Sequence, residues 1–194
     1  MTLALQRGFL ISMVFALSLL QGCATSVKAT SMQNPPPSEA FSGFGRIRVQ
    51  PVVFRPGYDG DKSGLVKINQ NIQEDLASSL ANWNMRPDNG RVLIIEPVIE
   101  EMEFKHGVKR VMLGPLAGSS GVLMRMKITD GNGKVVALPE FFQRANAMAA
   151  GFVFGVHDNL MLTRVANLAS RYIMDNYSSA IGGQTGADEK ALAR

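Results

Sequence analysis

A single cysteine, Cys23, stands just beyond an apolar run, residues 8–20, in a chain of 194 residues. One thiol cannot close a disulfide within its own chain, so whatever folds here is held by a hydrophobic core and hydrogen bonds alone. The run before it is too short to cross a bilayer, which takes about 20 predominantly apolar residues, and it breaks at Gln21 and Gly22. With Arg7 as a positively charged start, residues 1–22 read as a cleaved export signal.

The residues Leu20-Gln21-Gly22-Cys23 resemble the lipobox of bacterial lipoproteins: Leu, a tolerant position, a small residue, then Cys. The resemblance implies a diacylglycerol on the Cys23 sulfur, cleavage between Gly22 and Cys23, and acylation of the freed amine. A cysteine suits this chemistry because a thiolate attacks a lipid donor readily and the thioether it forms is stable in water. Each buried methylene contributes about 0.8 kcal/mol, so several acyl chains hold a protein where one binds only marginally. The covalent lipid on Cys23 is the one non-protein group expected, with no metal and no other cofactor. In Gram-negative lipoproteins an Asp after the cysteine favours the inner membrane. Ala24 and Thr25 stand there instead, which implies the outer membrane, with the domain facing the periplasm.

Residues 23–40 read as the lipidated cysteine and a flexible tether, small, polar and proline-rich. Pro35, Pro36 and Pro37 impose extended geometry. At roughly 3.1 Å per residue such a tether reaches about 50 Å. Residues 178–194, with adjacent Gly182 and Gly183, read as a flexible C-terminal tail. Between them residues 41–177 make one domain. Roughly 140 residues suffice to bury about two thirds of the unfolded surface without staples, and there is no internal repeat. Removing Arg7 with the signal takes the formal charge from +4 to about +3, of mixed sign, which is too mild to suggest a nucleic-acid partner by the basic-patch criterion, and export argues against one further.

Within the domain, Ile47 and Val49 alternate with Arg46, Arg48 and Gln50 at the strand period, and Pro51 marks a strand end or an edge. Leu65, Ile68, Ile72, Leu76, Leu80 and Trp83 form one helical stripe, which leaves Asn69, Gln73, Ser78 and Asn82 facing water. A second strand covers residues 91–104, and its opening Val92-Leu93-Ile94-Ile95 suits a strand covered on both faces. Val122, Met124, Met126 and Ile128 alternate in a third. Asp130-Gly131-Asn132-Gly133 supplies hairpin chemistry before a fourth strand, residues 134–144, in which Pro139 predicts a bend. A last helix, capped near Asp158 or Asn159, carries Leu162, Val165, Ala169, Tyr172 and Ile173 inward. The fold class is therefore α+β: a mixed sheet of four or five strands packed with two amphipathic helices.

Three stretches carry a wider resemblance: VLIIEPVIEE at residues 92–101, the glycine-rich LGPLAGSS at 113–120, and the strand 122–129 with its DGNGK turn. Together with the final helix, over residues 45–177, they resemble a family of proteobacterial lipoproteins defined by a domain of unknown function. More distantly they are similar to the amino-terminal domain of TolB and to the penicillin-binding-protein activator lipoproteins, which join a comparable α/β domain to a lipidated tether.

No catalytic constellation stands out. His106 and His157 are the only histidines, so a Ser-His-Asp or His-metal set arises only by free choice of partners. Glu96, Glu100, Glu101 and Glu103 lie on a strand where neighbours alternate between faces, with Arg125 and Lys127 as cross-strand partners, and read as a solvated face. The glycine-rich residues 114–120 lack the Gly-Lys-Ser/Thr ending of a phosphate loop. Residues 145–156 (ANAMAAGFVFGV) are too short to span a membrane and read as buried, or as an exposed patch for binding. What remains is a lipid-anchored, non-catalytic binding or accessory module, with membrane lipid held through the anchor and an envelope protein or cell-wall polymer as partner. The docking site is a sheet edge or the loop bearing Lys105, His106, Lys109 and Arg110. The alternative is a hydrolase of an envelope substrate.

Overall fold

The computed structural model describes residues 29–104, 120–145 and 156–192. In chain order the elements are β1 (Gln33–Asn34), a 3-10 turn (Phe41–Gly43), β2 (Arg46–Val49), β3 (Val53–Phe54), α1 (Lys62–Asn84), β4 (Val92–Glu103), β5 (Ser120–Asp130), β6 (Val135–Ala137), β7 (Glu140–Ala145), α2 (Val156–Ser178), β8 (Gly183–Gln184) and α3 (Glu189–Leu192). The class is α+β, with a mixed main sheet. β2 and β3 run parallel to β4 along one edge, β5 pairs antiparallel on its other side, and β6 and β7 both pair antiparallel with β5. Four expected strands become six because two prolines divide them. Pro51 separates β2 from β3, and Pro139 separates β6 from β7, since proline has no amide hydrogen to offer a ladder.

A third proline, Pro97, sits inside the central strand β4 at no cost to the ladder. The carbonyls of Ile95 and Ile99 accept from Gln50 and Arg55 on either side of the β2–β3 break. Pro97 lies between them, so its missing donor faces the interruption around Pro51.

Both long helices cover one face of this sheet. α1 starts where Asp61 Oδ1 accepts from Gly64 N at 2.7 Å, and its Ile68, Ile72 and Leu76 are buried against the sheet residues Leu93, Ile95, Met124, Met126 and Ile128. Asn69 departs from its expected solvent exposure: half-buried, it accepts from Val52 N at 3.1 Å. α2 is already helical at Val156, upstream of Asp158 and Asn159, so neither is its N-cap. Its inward stripe Leu162, Val165, Ala169, Tyr172 and Ile173 is buried as the spacing predicts. Asn71 meets Thr163 at 3.3 Å and Trp83 stacks on Tyr177 at 4.2 Å, so the two helices run parallel. Leu93 and Ile95 are fully buried while Val92 and Ile94 are half-buried, because only one face carries helices.

The other face is covered in part, on its β6–β7 side, by the two segments expected to be flexible, and here the sequence reading is corrected. From residue 29 the supposed tether lies along the β6–β7 side as a strap, and β1 within it pairs antiparallel with β8 of the supposed tail. Thr185, fully buried, donates from its amide to Met32 O and from its hydroxyl to Ser31 O, and its own carbonyl accepts from Phe142 N. Ala29 packs with Leu123 and Phe142 in a small second core, and Ala187 of the tail leans on it. The glycines of the tail permit close contact here rather than mobility. Gly182 has φ of +80°, and a Cβ on it would stand 2.4 Å from Asn34 O.

Tyr172 ties the strap to the helices. Its hydroxyl donates to Pro35 O at 3.2 Å, and its ring meets Phe41 and Phe141 at centroid distances of 6.4 and 5.8 Å. Burial pushes the phenol from 10.0 up to about 12. The folded state therefore favours the neutral phenol, and its contribution to stability is complete below pH 10 and lost as pH rises through about 12. Tyr172→Phe is expected to cost about 1 kcal/mol at neutral pH, from the lost hydrogen bond, and to remove this part of the alkaline destabilisation. Urea unfolding at pH 7 and pH 11 measures both.

Candidate functional site

The register of β4 determines what the outer face presents. A bulge between Ile99 and Glu101 shifts the alternation, so that Ile99 before it and Met102 after it both enter the core. As a result Glu96, Glu100, Glu101 and Glu103 all lie on the outer face, where strict alternation would divide them. At about 3.3 Å per residue the first and last are some 20 Å apart along the strand. Among the described residues no three His, Cys, Asp or Glu side chains gather as a metal-binding group. Lys127 stands opposite Glu96, and Arg125 reaches Glu100 at 4.0 Å, the cross-strand pairing expected of these cations.

A cleft of about 460 Å³ opens between this face and the strap. Val98, Glu100 and Arg125 form its floor, Glu140 its wall, and Thr30 and Asn34 part of its roof. Glu140 begins β7 immediately before Phe141 and Phe142, and it is the one charged residue among the buried described residues. Its Oε1 accepts from Thr30 N at 2.5 Å, Thr30 Oγ1 at 2.6 Å and Ser31 N at 3.3 Å, while Oε2 faces Arg125 at 3.6 Å. Its backbone is held as well. The Asn34 amide donates to Glu140 O and accepts from Glu140 N, both at 2.8 Å. The acceptor positions of this carboxylate are filled by the chain's own donors and by the Arg125 guanidinium. The polar chemistry of the cleft thus serves mainly to hold the strap.

The opposite edge of the sheet is closed in the same manner. Asn84, at the end of α1, accepts from Ile47 N at 2.8 Å and donates to Ile47 O at 3.0 Å, which occupies both outward groups of β2 at that residue. Of the two docking routes open to the sequence, a sheet edge is therefore filled at Ile47 and at Glu140 by the chain's own amides.

The residues singled out in the sequence, Gly22, Cys23, Lys105, His106, Lys109 and Arg110, lie outside the described residues, as do most of the apolar residues 145–156. Glu140 was not singled out. Its signal was available as an acidic residue directly ahead of two phenylalanines in Leu138-Pro139-Glu140-Phe141-Phe142, where a buried charge must find partners. Its partners, Thr30 and Ser31, are more than a hundred residues away and left no local trace.

No family model matches the chain, and no curated protein matches it. Solved structures that are similar include the PelC dodecamer from Paraburkholderia phytofirmans in two crystal forms. One, a point variant, has TM-score 0.45 at 15% identity over 76% of this chain and 95% of that one. The other has TM-score 0.40 at 16% identity over 71% and 94%. A candidate lipoprotein from Caulobacter crescentus is similar with TM-score 0.32, 16% identity, and 71% and 92% coverage. No helix among the described residues is long and apolar enough to cross a membrane.

Proposed function

We propose that this chain is a lipid-anchored envelope protein, acylated on Cys23 after cleavage behind Gly22, whose domain works as a non-catalytic binding or accessory module on the periplasmic side of the outer membrane. The observation that carries the non-catalytic reading is the environment of Glu140. The buried carboxylate of the described domain is occupied by Thr30, Ser31 and Arg125 of its own chain, so the cleft presents a structural latch where an enzyme would present a general acid or base. The lipobox residues Leu20-Gln21-Gly22-Cys23 support the anchor, and Ala24 with Thr25 supports the outer membrane. The partner in this reading is an envelope protein or cell-wall polymer met through the loop bearing Lys105, His106, Lys109 and Arg110.

Acylation is tested in growing cells with a palmitate analogue, together with intact mass and membrane fractionation. The wild-type chain is expected to take up label, to begin at Cys23 and to fractionate with outer-membrane markers, whereas Cys23→Ser is expected to lose the label entirely. Label on the serine variant refutes the anchor, and recovery with the inner membrane refutes the sorting.

A further inference from the structure

The docked strap shortens the free chain between anchor and domain, and it does so at one end of the molecule. Only residues 24–28 separate Cys23 from Ala29. Six Cα steps span about 20 Å fully extended, whereas an undocked chain from Cys23 to Phe41 spans about 60 Å. Ala29 packs on Leu123 and Phe142. Leu123 lies opposite Glu101 near the C-terminal end of β4, and Gly64 in the first turn of α1 sits against Met102 and Phe104 at the same end. The C-terminal end of α1, by contrast, lies near β2, where Asn84 binds Ile47 and Arg86 Nη1 donates to Tyr177. The 23 residues of α1 separate these two ends by about 34 Å. A body attached at one end by about 20 Å of chain cannot stand inverted, with its far end on the surface that holds the anchor and its attached end about 34 Å above it, and the orientations left to it favour the attached end.

We infer that the latch formed by Glu140, Asn34 and Thr185 makes the anchor directional: the end carrying Ala29 and the start of α1 apposes the lipid headgroups, and the end carrying Met85 and the Asp130–Gly133 turn faces away. The surface that the Ala29 end meets is therefore the headgroup layer. This rests on the acylated Cys23 proposed above, and the experiment separates the two.

Lys62→Cys and Met85→Cys place a thiol-reactive fluorophore at either end of α1. Both positions are exposed, Met85 by 82%, and in the acylated chain the Cys23 sulfur is blocked as a thioether. The full-length proteins are reconstituted into phosphatidylethanolamine and phosphatidylglycerol vesicles that carry a quencher on the headgroup. Flotation of the unlabelled wild type tests the anchor, and failure to float overturns the reading beneath this one. In proteins that float, quenching at position 62 is expected to exceed that at position 85 about fivefold, given the ~34 Å between them. Equal or reversed quenching overturns the orientation. A long Gly-Ser insertion between Lys28 and Ala29, which leaves the latch untouched, is expected to bring the ratio toward one. A ratio unchanged by the insertion shows that something other than the docked strap orients the domain, and overturns the inference.

Discussion

Leu76→Ala is expected to lower the unfolding free energy by about 2–5 kcal/mol. Leu76 is fully buried in the α1 stripe, in one cluster with Ile72 of the same helix and with Leu93, Ile95 and Met126 of the sheet. Truncation removes its transfer free energy and leaves a cavity that a helix packed against both the sheet and the neighbouring α2 closes only in part. At roughly 2–4 °C per kcal/mol for a chain of this size, the midpoint falls by about 10 °C. Val66, off the buried stripe of the same helix and 51% exposed, provides the control: Val66→Ala is expected to stay within about 0.5 kcal/mol. Thermal and urea unfolding of the pair measure the difference. Equal losses at the two positions refute the assignment of the buried stripe.

Asn176→Ala is expected to cost about 3 kcal/mol, since several buried backbone groups lose their partner together. The Asn176 side chain, fully buried near the end of α2, donates to Tyr172 O and Gly182 O and accepts from Ile181 N and Gly182 N, all between 2.8 and 2.9 Å. It is the residue that turns the chain from helix to tail. Asn176→Asp keeps the acceptor but places a carboxylate where two carbonyls need a donor, so it is expected to be no better tolerated. The readout that separates this from general destabilisation is local. Amide exchange at Ile181, Gly182 and Thr185, and at Asn34 on the paired strap, is expected to accelerate more than exchange at Ile95 or Met126 in the central strands. Uniform acceleration refutes a local role.

The contrast between these two residues explains what could be read in advance. Leu76 belongs to a stripe spaced three and four residues apart, and Met124, Met126 and Ile128 alternate at period two. Burial repeated along a helix or strand leaves that period in the sequence. The Asp130–Gly133 turn was legible because glycine at φ of +83°, at Gly133, is a local chemical need. The strap and tail have no period. The strap meets Glu140 and Thr185 from 106 and 154 residues away, and the tail meets Gln143 from 43, through two-residue strands and single side chains, so their composition of proline, glycine, serine and threonine read as flexibility. The bulge at Glu100 was hidden for the same reason, as one extra residue that only the opposite strand reveals. The cleft inherits both blind spots, since its roof is the strap and its floor includes the bulge.

The asparagine amides at Ile47 and Glu140 also bear on how copies of this chain tolerate one another. An open strand edge is a template for another strand, and the hazard grows when copies are crowded side by side. A primary amide presents one donor and one acceptor in nearly the geometry of a peptide group. Asn84 and Asn34 thus each act as a one-residue false strand, which ends the ladder at its edge as a neighbouring chain otherwise would. At Ile47 and Glu140 the sheet is in this way insulated against runaway pairing by side chains, while the backbone of Thr185 and Ser38 does the same at Phe142 and Val136.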